Sequence, residues 1–209
     1  MQRNVTGFMQ LSAGLNYSPF LGIDGKSLGD GGDFSVSEER ISGPGYGVSF
    51  YLIPTWGQNG VHFGASYDMS ALRFKQKTDD SGGLIEGDSS MGISDMVLRA
   101  GYTRYFGKWR WHPYILGDAG LSWQTARIST DYVEEDDKVE AWQIKSPVIG
   151  LGAGIAKETT SGLFGVEFRA DIHPLPSEYE FPGPYDRYEL EVTRPAVLKI
   201  NAVFSLGHL

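Results

Sequence analysis

Leu163-Phe164-Gly165-Val166-Glu167-Phe168-Arg169-Ala170-Asp171-Ile172-His173 is the stretch that decides how this chain folds. Phe164, Val166, Phe168, Ala170 and Ile172 share one parity, and Gly165, Glu167, Arg169, Asp171 and His173 share the other. A period of two sends the two sets to opposite faces of an extended strand. One face is wholly apolar and the other is charged, so the strand must separate a greasy phase from a polar one.

Seven further segments repeat the pattern on either side. They cover about residues 5–17, 45–53, 61–74, 93–106, 109–125, 147–157 and 192–206. In the first, Val5, Met9, Leu11, Ala13, Leu15 and Tyr17 oppose Thr6, Gln10, Ser12, Gly14 and Asn16, with Phe8 breaking the rule. The connections alternate in length. Those at 18–43, 75–92, 126–146 and 174–191 are long and polar, while those at 54–60, Gly107-Lys108 and 158–162 are short, the middle one reading as a two-residue hairpin turn. Long loops on one side and tight turns on the other are the pattern of an outer-membrane β-barrel. The expected fold is all-β, an eight-stranded antiparallel up-and-down transmembrane barrel formed by residues 1–209 as one domain. An even strand count places both chain ends on the short-turn, periplasmic side.

Composition agrees. Gly makes up 28 of 209 residues, aromatics 13%, and Cys is absent. The longest nearly uncharged apolar run, residues 148–156, is roughly half of what a helix needs to cross a bilayer. A mean hydropathy of −0.25 is compatible with a barrel, where only alternate strand residues meet lipid. The N-terminal residues contain no apolar signal core, so a secretory leader is expected to be removed already or never present, with Met1 read as an initiator on a mature chain.

Period two does not separate a membrane barrel from a soluble lipocalin-type binder, which is nearly the same object turned inside out. Two features favour the membrane. Trp111 and Trp123 share a face twelve positions apart, roughly 30 Å of height on a tilted strand, enough to bracket an apolar band of about 25 Å. The expected aromatic girdle is Tyr17, Tyr67, Tyr102, Trp111, Trp123, Phe164 and Phe204. In addition, the four long connections hold 20 of the 26 acidic residues and only 8 of the 18 basic ones, while Arg104, Lys108, Arg110 and Lys157 lie near the short turns.

On these segments the chain resembles the small eight-stranded outer-membrane proteins of the OmpA-domain, OmpX and OmpW kind. The most specific element is Lys199-Ile200-Asn201-Ala202-Val203-Phe204-Ser205-Leu206, similar to the terminal signal that this family presents to the barrel-assembly machinery. The resemblance gives Lys199, Asn201, Phe204 and Leu206 that role. Asn201 stands where the family has Gly, Leu206 stands where it has an aromatic, and Gly207-His208-Leu209 follow.

An eight-stranded barrel is just wide enough to be filled by its own side chains. Asp68, Asp95, Arg99, Asp118, Glu167, Arg169, Asp171 and Lys199 all take the inward parity, and both signs are present, so a structural ion-pair network is expected to plug the lumen. Gly-rich segments two and six could leave room inside, which keeps a gated polar path, or an OmpW-like narrow channel for small apolar molecules, as an alternative. A lipid A-modifying enzyme is another, because His173, Asp171, Ser177 and Glu178 are close in sequence and such a set could activate a hydroxyl. Against it, His173 points inward, and no His-x-Ser pair sits on a lipid-facing strand as in the lipid A deacylases. The expected role is structural or surface-binding, without catalysis, cofactor or metal. Expected partners are outer-membrane lipid and lipopolysaccharide, the barrel-assembly machinery and a protein met by the surface loops. Glu134-Glu135-Asp136-Asp137 could hold bridging cations but does not fit an EF-hand, and nucleic acid is disfavoured at a net charge of −8.

Overall fold

Strand β9 (Gly162–Ile172) runs antiparallel between β8 (Glu140–Thr159) and β12 (Ala196–Gly207). Following the pairing onward leads through β7 (Trp111–Thr130), β6 (Gly83–Tyr105), β5 (Asn59–Asp80), β4 (Gly45–Trp56) and β1 (Thr6–Tyr17), then back to β12. Eight strands therefore close on themselves, and the seam is the β1–β12 ladder from Phe8↔Gly207 to Tyr17↔Leu198. This is a computed structural model, which describes residues 6–19, 22–27, 33–42, 44–80, 83–107, 110–130, 140–182 and 187–207. Val5, Lys108, Glu134–Asp137, His208 and Leu209 lie outside the described residues.

Four further strands come from stretches read as loops. β3 (Asp33–Ser42) pairs with the far end of β5, while β2 (Gly22–Ser27), β10 (Ser177–Pro182) and β11 (Arg187–Thr193) form a separate three-stranded sheet. Loops one and four thus bond to each other. The second loop, expected over 75–92, is instead a continued hairpin paired from Asn59↔Arg104 to Asp80↔Gly83. The reason is physical: where both faces of a ribbon meet water there is no apolar parity to read, yet the backbone ladder still satisfies the amides. The expected two-residue turn at Gly107-Lys108 is also longer than read. The β6–β7 ladder ends at Tyr105↔Tyr114, and the Phe106 amide donates to the Pro113 carbonyl at 2.7 Å.

Parity within the strands sorts as the charges require. Leu11, Phe50, Leu98, Ile115, Leu151 and Phe168 are exposed on the outer wall, and Asp68, Asp95, Arg99, Asp118, Glu167 and Lys199 are buried within. A lipocalin-type cavity would place these sets the other way round. Phe8, the exception in the first segment, points inward and meets Tyr105 edge-on at 5.9 Å. With Tyr51, Ile53, Tyr114, Leu116, Ala156 and Leu163 it forms an apolar stopper at the short-turn end. Near the opposite end, buried Leu72 and Ile93 face buried Met91 and Ala126 across their ladders. The interior is therefore layered: apolar at the short-turn end, ionic in the middle, and towards the other end an apolar patch on β5, β6 and β7 beside buried Gln124, His173, Ser177 and Arg194.

Candidate functional site in the barrel lumen

The eight inward ionic residues come from five strands, and Asp171 on β9 is the hub. Arg99 on β6 grips it with both terminal nitrogens, at 2.7 and 3.0 Å. Arg169 donates to it through Nε at 2.9 Å, and the Lys199 ammonium lies 2.6 Å away. Lys199 also reaches Asp68 at 2.5 Å, and Asn16 donates to the other Asp68 oxygen at 3.4 Å. Asp118 takes a short contact from Arg169, a second at 3.5 Å from Arg99, and the His62 Nε2 at 3.0 Å. Three cations and three carboxylates are thus held in one mesh, in which almost every polar atom has a partner. Charges removed from water persist only under that condition.

Glu167 sits just below, within the layer that meets the stopper. It is 1% exposed and accepts from the Tyr114 hydroxyl at 3.0 Å and from Asn201 at 3.5 Å. Asp95 lies above the mesh in a second group, where it accepts from Ser122 at 2.5 Å and from Arg194 at 3.2 Å. Six of the eight expected lumen residues therefore form the mesh, while Glu167 and Asp95 are bonded outside it, one below and one above.

The glycines thought to leave room do the reverse. A Cβ built on Gly150 would run into Arg169 and Asp118, one on Gly47 into Asp68, and one on Gly154 into the Tyr114 ring. Each glycine is a recess in which a large polar side chain of a neighbouring strand lies flat. Gly-rich β4 and β8 are thus occupied.

Arg194 and His62 are two of the participants that escaped the sequence reading. Arg194 is buried and bonds Ser70 as well as Asp95, although its parity relative to β12 points outward. Arg194 and Pro195 leave the ladder between β11 and β12, and parity does not survive the break. His62 had inward parity, but nothing in the sequence indicated that Asp118, 56 residues away, would face it.

The residues weighed for lipid A modification do not assemble. Ser177 donates to Gln124 Oε1 at 2.7 Å, Gln124 stands 3.3 Å from His173 Nδ1, and His173 Nε2 faces Asp95 at 3.7 Å. A glutamine separates hydroxyl from imidazole, and Asp171 belongs to the cations below. Among the described residues no group of acidic or histidine side chains is arranged to hold a metal ion.

On the outer wall Tyr17, Tyr67, Tyr102, Trp111, Phe164 and Phe204 are exposed, and Trp123 is half-buried. Phe204 is directly opposite Phe164, which neighbours Lys157, and the Lys157 ammonium lies 5.4 Å from the Trp111 ring centre. Asn201 points into the lumen, while Phe204 and Leu206 face outward.

The fold has counterparts among solved structures. OprG from Pseudomonas aeruginosa superposes with a TM-score of 0.53 at 12% identity, covering 97% of both chains. The fold is that of a small outer-membrane β-barrel. The outer-membrane protease OmpT from Escherichia coli matches with a TM-score of 0.54 at 5% identity, covering 98% of this chain and 96% of its own. Neisserial surface protein A matches at 0.46 and 13% identity, with 96% of this chain and 97% of its own covered. No family pattern and no curated protein sequence matches the chain. At such identities what is shared is the fold.

Proposed function

We propose that this protein is a bacterial outer-membrane barrel with a closed lumen, whose role is structural or surface-binding and is exercised through its acidic outer loops. Its chain ends face the periplasm, and it carries out no catalysis. The observation that carries the reading is the outer wall. Large apolar side chains ring a sheet whose interior is filled with paired charge, an arrangement that is stable only if hydrocarbon replaces water outside. The apolar stopper below the ionic mesh, and the buried Leu72, Met91, Ile93 and Ala126 above it, support a plug over a pore.

Placing Arg at Leu98, Ile115 or Leu151 is expected to cost about 2–4 kcal/mol of stability in a bilayer, read by denaturant unfolding. Costs near zero would remove the membrane reading. In planar-bilayer recording the protein is expected to stay silent, also after Arg99→Gln or Glu167→Gln. Steps of conductance would overturn the closed lumen and restore the channel reading.

A further inference from the structure

We propose that the outer wall across β5, β6 and β7 carries a seat for one membrane lipid of a particular kind, an acyl-chain amphiphile with a phosphorylated head, held near the outer rim. The proposal rests on the wall facing a bilayer.

The seat is a groove of about 700 Å³, within the usual size of small-molecule sites. Its floor is written in the registers. Tyr67, Met96 and Trp123 lie side by side on the three strands and form a ledge of large side chains. One step further out the row is Met69, Ser94 and Thr125, and the next is Ala71, Gly92 and Arg127. The wall drops from bulky to small within two steps, and a Cβ placed on Gly92 would meet nothing within 4 Å. From Leu98 to Gly92 the groove follows six residues of strand, about 20 Å, long enough for an acyl chain to lie along it.

Charge then selects the occupant. Arg127 lines the outer end of the groove, Arg73 lies opposite Ser90 one row above it, and Lys145 on β8 stands beside Trp123. All three are exposed on the outer face. Among the described side chains, the outward positions near the outer ends of β1, β4, β9 and β12 are Leu15, Tyr17, Tyr46, Ile172 and Leu198, with no cation. Among the described side chains, outward-facing cations near the rim are thus confined to the sector that contains the groove, in a protein whose long connections are strongly acidic. Guanidinium groups match phosphate geometry and are worth most where the surroundings are partly apolar.

The test uses the full chain in nanodiscs of phosphatidylcholine with a minor fraction of bisphosphorylated lipid A, and native mass spectrometry to read lipid retained by the protein. Wild type is expected to keep lipid A in preference to phosphatidylcholine. Arg127→Gln is expected to weaken retention about tenfold, and the Arg73→Gln/Arg127→Gln pair further. Gly92→Leu leaves every charge in place and fills the groove, and the same loss is expected. Folding of each variant is verified by circular dichroism. Retention unchanged in the arginine pair or in Gly92→Leu overturns the seat, as does equal displacement by millimolar inorganic phosphate, which would make the site one for free phosphate. A separate arm replaces phosphatidylcholine with its brominated form. Quenched tryptophan emission upholds the membrane wall whatever lipid A does, and unquenched emission removes the wall and the seat together.

Discussion

Asp171 receives two arginines and a lysine and is 1% exposed, so it is the residue on which the interior balances. Asp171→Asn keeps the shape and removes the charge, leaving three buried cations to share Asp68 and Asp118. A loss of about 3–5 kcal/mol is expected, measured as unfolding in detergent or lipid, because a buried ion deprived of its partner costs more than the pair contributes. Glu167 is the contrast. Its hydrogen-bond partners are a tyrosine hydroxyl and an amide, both neutral, so Glu167→Gln is expected to lose about 1–2 kcal/mol in the same assay. If the two substitutions cost the same, the mesh is not organised around Asp171. At this scale the sequence was legible in parity only: it placed Glu167, Arg169 and Asp171 inside, but strand neighbours far apart in the chain decide which pairs form.

On the level of the strand, β8 shows how a glycine run is misread. Gly150, Gly152 and Gly154 looked like space, because sequence reports the missing side chain and not the foreign one lying over it. Arg169 and Asp118 lie over Gly150, so Gly150→Val must displace a guanidinium from the mesh and is expected to destabilise by about 1–3 kcal/mol in equilibrium unfolding. Gly92→Ala on β6, where the added carbon meets nothing, serves as the control and is expected to be near neutral. The same limit on reading explains the loops. β5 and β6 were visible as far as one face stayed apolar and became invisible where both faces turned polar, although the hydrogen-bond ladder continues to Asp80↔Gly83. β2, β10 and β11 had no local signal, because their pairing joins the first long connection to the last.

For the whole molecule, the alternation of long and short connections carried the topology: the eight expected segments are the eight strands of the barrel, in the expected order. What it did not carry is the vertical order of the lumen. Phe8 stood out as an error of parity and proved to be part of the stopper, together with Tyr51, Tyr105 and Tyr114. Phe8→Ala is expected to lose about 3 kcal/mol by opening a void beneath the ionic layer, with the barrel still closed by circular dichroism and still silent in planar bilayers. Conductance in that variant would show that the stopper alone seals the barrel.

The seam between β1 and β12 has a consequence for how the molecule comes into being. It joins ends that are almost the whole chain apart, and loop closure over such a span is slow. Lys199 reaches its acidic partners on β5 and β9 from the last strand, so an unsealed sheet would expose Asp68, Asp171 and their cations to lipid at great cost. Insertion and closure are therefore a single event: the ribbon must arrive at the bilayer curled, its first edge already seeking its last.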